Sequence, residues 1–319
     1  MATSSKKSAS KKTKTVKKST KASSSSATKK TTSKKVITAP VQKVESKKDE
    51  SKTSSRSAAG STRFSQFKTW NLALAVINAA QAVAIYMLSK ANRGVYPITT
   101  NYTTTDNLAS TPTNTVVVNA TRHLLDVHVV WLIVAYFAVA AITHLSLATW
   151  YRRKYQNDLK NEVNRARWIE YILTNGIMLL VISYLVGISD ISTLVAIFVL
   201  SALMNMVALK MELLTLRGIK PSRLSYVISV IAGLTPWLIL AIYAFGAHQF
   251  GAVGLPKFVY LILAIQFVLS LLCAVNTNRR FKATGRWNDY LFAEKVYMVL
   301  GLIGKAALAW LVFKNVLHI

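Results

Sequence analysis

The stretch VYMVLGLIGKAALAWLVF, residues Val296–Phe313, decides the fold. It is apolar except at Lys305, and charge returns only at Lys295 and Lys314 on either side. At about 1.5 Å of rise per helical residue, those lysines lie roughly 15 Å and 13 Å from Lys305. A hydrocarbon core is about 30 Å thick, so the pattern predicts a spanning helix with Lys305 near the midplane. An ammonium group there is costly and too deep to reach water easily, which marks the residue as functional. A lysine amine in a dry site has one chemistry suited to it, condensation with an aldehyde to a Schiff base.

Working back toward the N-terminus, further apolar runs lie near Phe67–Leu88, Leu124–Trp150, Trp168–Ile188, Ile191–Leu213, Leu224–Ala247 and Phe258–Val275, and the last run extends over Tyr290–Phe313. Each approaches the roughly 20 residues needed to cross a bilayer. Pro236 is tolerable in a membrane helix, where neighbours re-satisfy the freed carbonyl. The expectation is an all-α, integral, multi-pass membrane protein with a seven-helix bundle over residues 64–319.

The remaining chain is of another kind. Residues 1–63 hold 18 Lys and Arg against 3 acidic residues, in a background of Ser, Thr and Ala. Such a segment cannot bury enough apolar surface to fold and is expected to be a disordered basic tail. It accounts for more than half of the overall net charge of +28. Anionic lipid headgroups or nucleic acid are the partners its charge suggests. Cys273 is the single cysteine, which excludes an intramolecular disulfide. No secretory signal is expected ahead of the first span.

Loop charge predicts the orientation. The tail is basic, and so are the second-to-third connection (Arg152, Arg153, Lys154, Lys160, Arg165, Arg167), the fourth-to-fifth (Lys210, Arg217, Lys220, Arg223) and the sixth-to-seventh (Arg279, Arg280, Lys282, Arg286). The alternate connections are poor in Lys and Arg. The N-terminus is therefore expected in the cytoplasm and the C-terminus on the extracellular or luminal side. Two sequons, Asn101-Tyr-Thr and Asn119-Ala-Thr, fall in the first outer connection, in agreement with that orientation.

The ionisable residues expected within spans are Asp126, His128, His144, Glu170, Glu294 and Lys305. A buried lysinium needs an anion. Glu170 is the candidate, because helical side chains lean toward the N-terminus and bring Lys305 toward its level. Gly301, Gly304, Ala306 and Ala307 leave room beside the lysine for helix packing or for a rigid ligand. Met178, Trp237, Phe267 and Trp310 are candidates to line such a cavity.

The strings RWIEYILTNGIMLL, LVGISDI, GLTPWLILAIY and GRWNDYLFAEKVYMVLGLIGKAALAW resemble the heliorhodopsins, retinal proteins of inverted topology, and the resemblance covers everything but the tail. It implies a seven-helix rhodopsin-like fold, covalent all-trans retinal on Lys305 as a protonated Schiff base, and Glu170 as counterion. It also implies that Asn78, Gln81 and His144 form an internal polar cluster, and that Met178 and Trp237 occupy retinal-pocket positions. Three residues depart from the pattern: Asn78 stands for a histidine, and Gly301 and Ala140 stand for serines. The function expected is light sensing without net ion pumping, with a light-gated or light-driven transporter as the alternative and a pigment-free seven-helix protein as a third reading. An enzyme is not expected, since no nucleophile–base or metal-spacing motif occurs. A second copy of the chain in a homodimer and a cytoplasmic signalling protein are the further partners expected.

Overall fold

The computed structural model describes residues 46–318 apart from 91, 107 and 221, with side-chain surroundings from residue 65 onward. Two units divide the chain, Met1–Thr53 and Ser54–Ile319. The tail expected to be disordered lies outside the described residues up to residue 45. From Ser46 the backbone is described as part of the first helix.

The helix α1 (Ser46–Leu88) contributes the first span, Ser65–Leu88. The long connection after it is a hairpin, β1 (Val95–Thr105) and β2 (Val117–His128), paired antiparallel with one register shift at Ile98/Thr99. Then follow α2 (Val129–Ala148), the short α3 (Arg152–Lys160), α4 (Arg165–Val186), α5 (Ile191–Leu216), α6 (Arg223–Phe250), α7 (Lys257–Phe281) and α8 (Tyr290–Val312). A π-type turn, Phe313–Leu317, continues α8. Among the described residues, seven helices are long and apolar enough to cross a membrane; α3 is not one of them. It has one charge after another, and it sits where a plain connection was expected.

The hairpin corrects the expected second span, which begins at Val129 and not at Leu124. Thr, Tyr, Val and Ile crowd β1, and Val recurs in β2; these side chains favour extended backbone. Asp126 and His128 therefore belong to β2 and lie outside the spans. Asp126 is paired with exposed His123, Nε2 to Oδ1 at 2.9 Å. The hairpin is moored where Thr99 N–H donates to Ser189 O at 2.9 Å, where Val129 N–H donates to Gly94 O at 2.9 Å, and where Tyr96 meets Tyr184 ring to ring. Asn101 and Asn119 are both exposed on it.

Helix ends follow local chemistry. Asn164 caps α4 through Arg167 N–H, Asp190 caps α5 through Thr193 N–H, and Asp289 caps α8 through Leu291 N–H. Gly187 closes α4 at φ +94°, a conformation that side chains resist. α4 has the largest buried face, and Glu170 lies on it. Its core contacts run through Ile133, Phe137, Val181, Ile182, Ile197 and Leu308, all essentially buried.

Gly94, at the mouth of the hairpin, adopts φ +66°, and a Cβ there would lie 2.6 Å from Leu317 Cδ2. Gly94→Ala should lower stability by about 1–2 kcal/mol, the cost of left-handed backbone in a residue with a side chain. Thermal unfolding in detergent checks it, and an unchanged midpoint would mean that the junction relaxes freely.

Candidate functional site

Lys305 Nζ donates to Glu170 Oε1 at 2.6 Å, across α8 and α4. The two side chains are only 4% and 3% exposed, so the pair is a desolvated one and each charge depends on the other. The backbone around Lys305 is held from two sides. Tyr136 Oη of α2 donates to Lys305 O at 3.0 Å, and Gln266 Nε2 of α7 donates to Gly304 O at 2.9 Å. The Tyr171 ring lies 5.7 Å from Nζ, within cation–π range. Tyr171 Oη donates to Tyr297 O at 2.9 Å, and a Cβ at Gly301 would approach Tyr171 Oη to 3.1 Å and Lys305 Nζ to 3.7 Å. The serine expected at 301 would thus crowd the Tyr171 hydroxyl.

The second carboxylate oxygen of Glu170 faces His144. Nε2 of that ring lies 3.8 Å from Glu170 Oε2, too far for a hydrogen bond. Nδ1 is 2.8 Å from Asn71 Oδ1. Of the residues expected in a polar cluster, Asn78, Gln81 and His144, no two are joined by a direct hydrogen bond among the described residues. Asn78 is buried and donates to Leu74 O at 2.7 Å, with Oδ1 lacking a partner. Gln81 accepts from Trp310 Nε1 at 3.2 Å, at the exposed edge of the bundle. Asn71, the partner that His144 does have, was not read from the sequence. Its spacing of two helical turns from Asn78 places both on one face of α1, and that was the signal available.

A cavity of about 380 Å³ opens beside Lys305. Met178, Trp168, Tyr171, Trp237, Gly301 and Gly304 help to line it, with Asn175, Ser201, Asn205 and Gln266 as scattered polar groups. Of the four residues expected in its wall, Met178 and Trp237 are there. Phe267 stands behind the wall, edge-on to Trp237 at 5.3 Å. Trp310 is 40% exposed and packs on Phe313, away from the cavity. Lipid solvates an outward indole well, so nothing drives it inward. Ala306 and Ala307 also lie off the lining.

A second buried charge cluster stands one turn from Glu170. Arg167 pairs with Glu212 at 2.5 Å and with Glu294. Asn164 donates its backbone N–H to Glu212 Oε2 at 3.1 Å and its side-chain amide to Glu294 Oε2 at 2.9 Å. The guanidinium stacks 4.0 Å from the Tyr297 ring and 4.5 Å from Trp168. Those two rings also wall the cavity, so the cluster shapes one of its ends. Glu212 was not picked out in the sequence, because it lies near the end of the fourth apolar run and reads as an interfacial residue. Tyr155 of α3 packs beneath this region against Phe67, Leu147 and Tyr290.

The heliorhodopsin family's sequence model matches residues 67–317. No curated protein matches the chain. Among solved structures, the transmembrane domain of the Salpingoeca rosetta rhodopsin phosphodiesterase is similar in fold, with a TM-score of 0.52 at 14% identity over 80% of this chain and 87% of that one. The light-driven proton pump LR (Mac) of Leptosphaeria maculans gives a TM-score of 0.47 at 15% identity, over 79% of this chain and 94% of that one.

Removing the cation of the second cluster should be costly. Arg167→Met strands two buried carboxylates and should destabilise the fold by about 3–5 kcal/mol, read as a fall in the thermal midpoint. Adding Glu212→Gln and Glu294→Gln should recover part of the loss; a fully stable Arg167→Met protein would show that the carboxylates need no cation. Burial pushes the Tyr155 phenol up to about 12. The folded state therefore holds the proton more tightly than the unfolded one, whose phenol titrates near 10. The resulting stability is complete below about pH 10 and lost as pH rises toward about 12. Tyr155→Phe should remove that part of the alkaline decline in thermal midpoint, and an unaltered decline would exclude Tyr155 as its source.

Proposed function

The chain belongs to the heliorhodopsin family, and from that membership we propose a light sensor with all-trans retinal covalently held by Lys305, Glu170 as counterion, and no net ion pumping. A retinal protein of photoreceptor type, built on a multi-pass rhodopsin-like bundle, is the common ground of the family match and the fold. The observation that carries the finer reading is the 2.6 Å contact between Lys305 and Glu170 at the side of an apolar cavity.

The residues fit the group. The cavity's size falls within the roughly 300–1,000 Å³ of small-molecule sites. Its wall is largely apolar, an amine opens onto it, and Gly301 and Gly304 leave the backbone bare beside that amine. When bound, retinal supplies a light-absorbing polyene whose isomerisation moves the nitrogen on Lys305 relative to Glu170. Glu170 stabilises positive charge on that nitrogen in the resting state. Tyr136 and Gln266 keep the lysine's backbone in place, and Trp237, backed by Phe267, forms part of the cavity wall.

Sensing is favoured over transport by where the other carboxylates lie. After Glu170, α4 carries no acid, and Asp190 caps α5 beyond its end. Asp126, which would have extended a relay outward, sits on the exposed hairpin with His123. Glu212 and Glu294 are engaged by Arg167. Alternating loop charge supports a cytoplasmic N-terminus and a C-terminus on the opposite side. On this reading a homodimer carries the signal to a cytoplasmic protein, and the basic tail touches anionic lipid or nucleic acid.

Membranes containing the full chain should colour on addition of all-trans retinal, and Lys305→Ala membranes should stay colourless. A visible band persisting in that variant would end the assignment of Lys305. Glu170→Gln should shift the band to the red, and an unchanged spectrum would remove Glu170 as counterion. Under voltage clamp, illumination should give no current; a current at zero voltage, or one that reverses with voltage, would select the transporter.

A further inference from the structure

We propose that Asn71 is a positioning residue that holds His144 as its Nδ1–H tautomer, so that the bare Nε2 faces Glu170 and receives the proton leaving the nitrogen on Lys305. The acceptor role of His144 is what the heliorhodopsin resemblance implies for its polar cluster, and it rests on the reading of Lys305 and Glu170 given above; the new element is the part played by Asn71. The tautomer rests on geometry alone.

An asparagine amide has one end that accepts and one that donates, and its neighbours decide which way it points. One end of the Asn71 amide lies 2.7 Å from Phe67 O, a backbone carbonyl that can only accept. That end is therefore Nδ2. Tyr155 Oη lies on the same side, 3.5 Å from Nδ2. The carbonyl oxygen Oδ1 is left for His144, 2.8 Å from Nδ1. Because Oδ1 only accepts, Nδ1 must carry the hydrogen. The opposite tautomer would set two acceptors against each other at 2.8 Å inside a buried site. A neutral imidazole with its hydrogen on Nδ1 has a free lone pair on Nε2. That atom faces Glu170 Oε2, at 3.8 Å.

The charge balance is simple. At rest, the nitrogen on Lys305 is positive, Glu170 negative and His144 neutral. When the proton leaves that nitrogen, its N–H bond breaks and the electron pair stays behind. A new N–H bond forms with the Nε2 lone pair. Glu170 remains ionised throughout, with Oε1 beside Lys305 and Oε2 beside His144, so the net charge of the set stays at zero. The imidazolium then has a partner at each nitrogen, Asn71 Oδ1 and Glu170 Oε2. No other side chain contacts the His144 ring nitrogens among the described residues. Asn71 thus decides which nitrogen is free.

The test begins without retinal. The full-length chain, labelled with nitrogen-15 in its five histidines, is studied by NMR in nanodiscs, with His144→Gln assigning the His144 signals. The long-range couplings should show Nδ1–H in the wild type, a mixture or Nε2–H in Asn71→Leu, and Nδ1–H again in Asn71→Asp, which keeps an oxygen toward the ring. Nε2–H in the wild type, or an unaltered tautomer in Asn71→Leu, overturns the proposal. The wild-type measurement decides even where the leucine variant fails to fold. With retinal added, flash spectroscopy should show the blue-shifted, deprotonated form rising at least about tenfold more slowly in Asn71→Leu, since a positioned base contributes roughly 100-fold or more to proton transfer. Asn71→Asp should restore the rate, and equal rates in all three proteins overturn the positioning role. A wild-type chain that forms no pigment overturns the retinal reading and the proton transfer with it, while the tautomer stands or falls on the NMR.

Discussion

A charge in hydrocarbon must be matched, and this bundle is organised around one such match. Lys305 on α8 and Glu170 on α4 neutralise each other at 2.6 Å, deep among residues with almost no exposed surface. Neither charge is tolerable alone, so the pair ties the two helices together electrostatically. Everything near it accommodates that demand. Gly301 and Gly304 withhold side chains, Tyr171 turns its hydroxyl away to Tyr297 O, and Tyr136 and Gln266 take up backbone carbonyls beside the lysine.

One turn away, the same rule operates with different stoichiometry. Arg167 serves two carboxylates, Glu212 and Glu294, which leaves this group with an excess of negative charge. Asn164 compensates with two donors, and the guanidinium's flat faces are covered by Trp168 and Tyr297. A planar cation can be paired at its edge and stacked at its face, which a lysine cannot do. The two buried clusters thus use different cations for different purposes. Arg167 joins α4, α5 and α8, while Lys305 joins α8 to α4 alone and opens onto the cavity.

Much of this was legible before any coordinates. Long apolar runs broken by basic connections predict the spans, and a midplane lysine predicts a buried anion. Glu170 could be named because lean and depth both point toward it. The misses share a physical cause. Which face of a membrane helix meets its neighbours is weakly encoded when lipid and protein are both apolar, so Trp310 and Phe267 could be credited to a cavity that they do not line. Polar pairings between helices, such as Asn71 with His144 and Glu212 with Arg167, depend on axial offsets that no single run reveals. The hairpin was hidden because its strands are exposed on both faces and show no alternation of buried and open residues. Its threonine-rich composition was nonetheless a signal for extended backbone.

The clasp on Lys305's backbone has a mechanical meaning. Neighbouring carbonyls of α8 are gripped from α2 by Tyr136 and from α7 by Gln266. The attachment point is therefore an anvil. On the proposed reading, force arising at the tip of the side chain would not be spent by letting α8 recoil. Of the helices that wall the cavity, α6 is the one whose hydrogen-bond ladder is interrupted, at Pro236 beside Trp237. On the same reading, a stiff anchor facing a hinged plate would turn a small displacement into a directed swing.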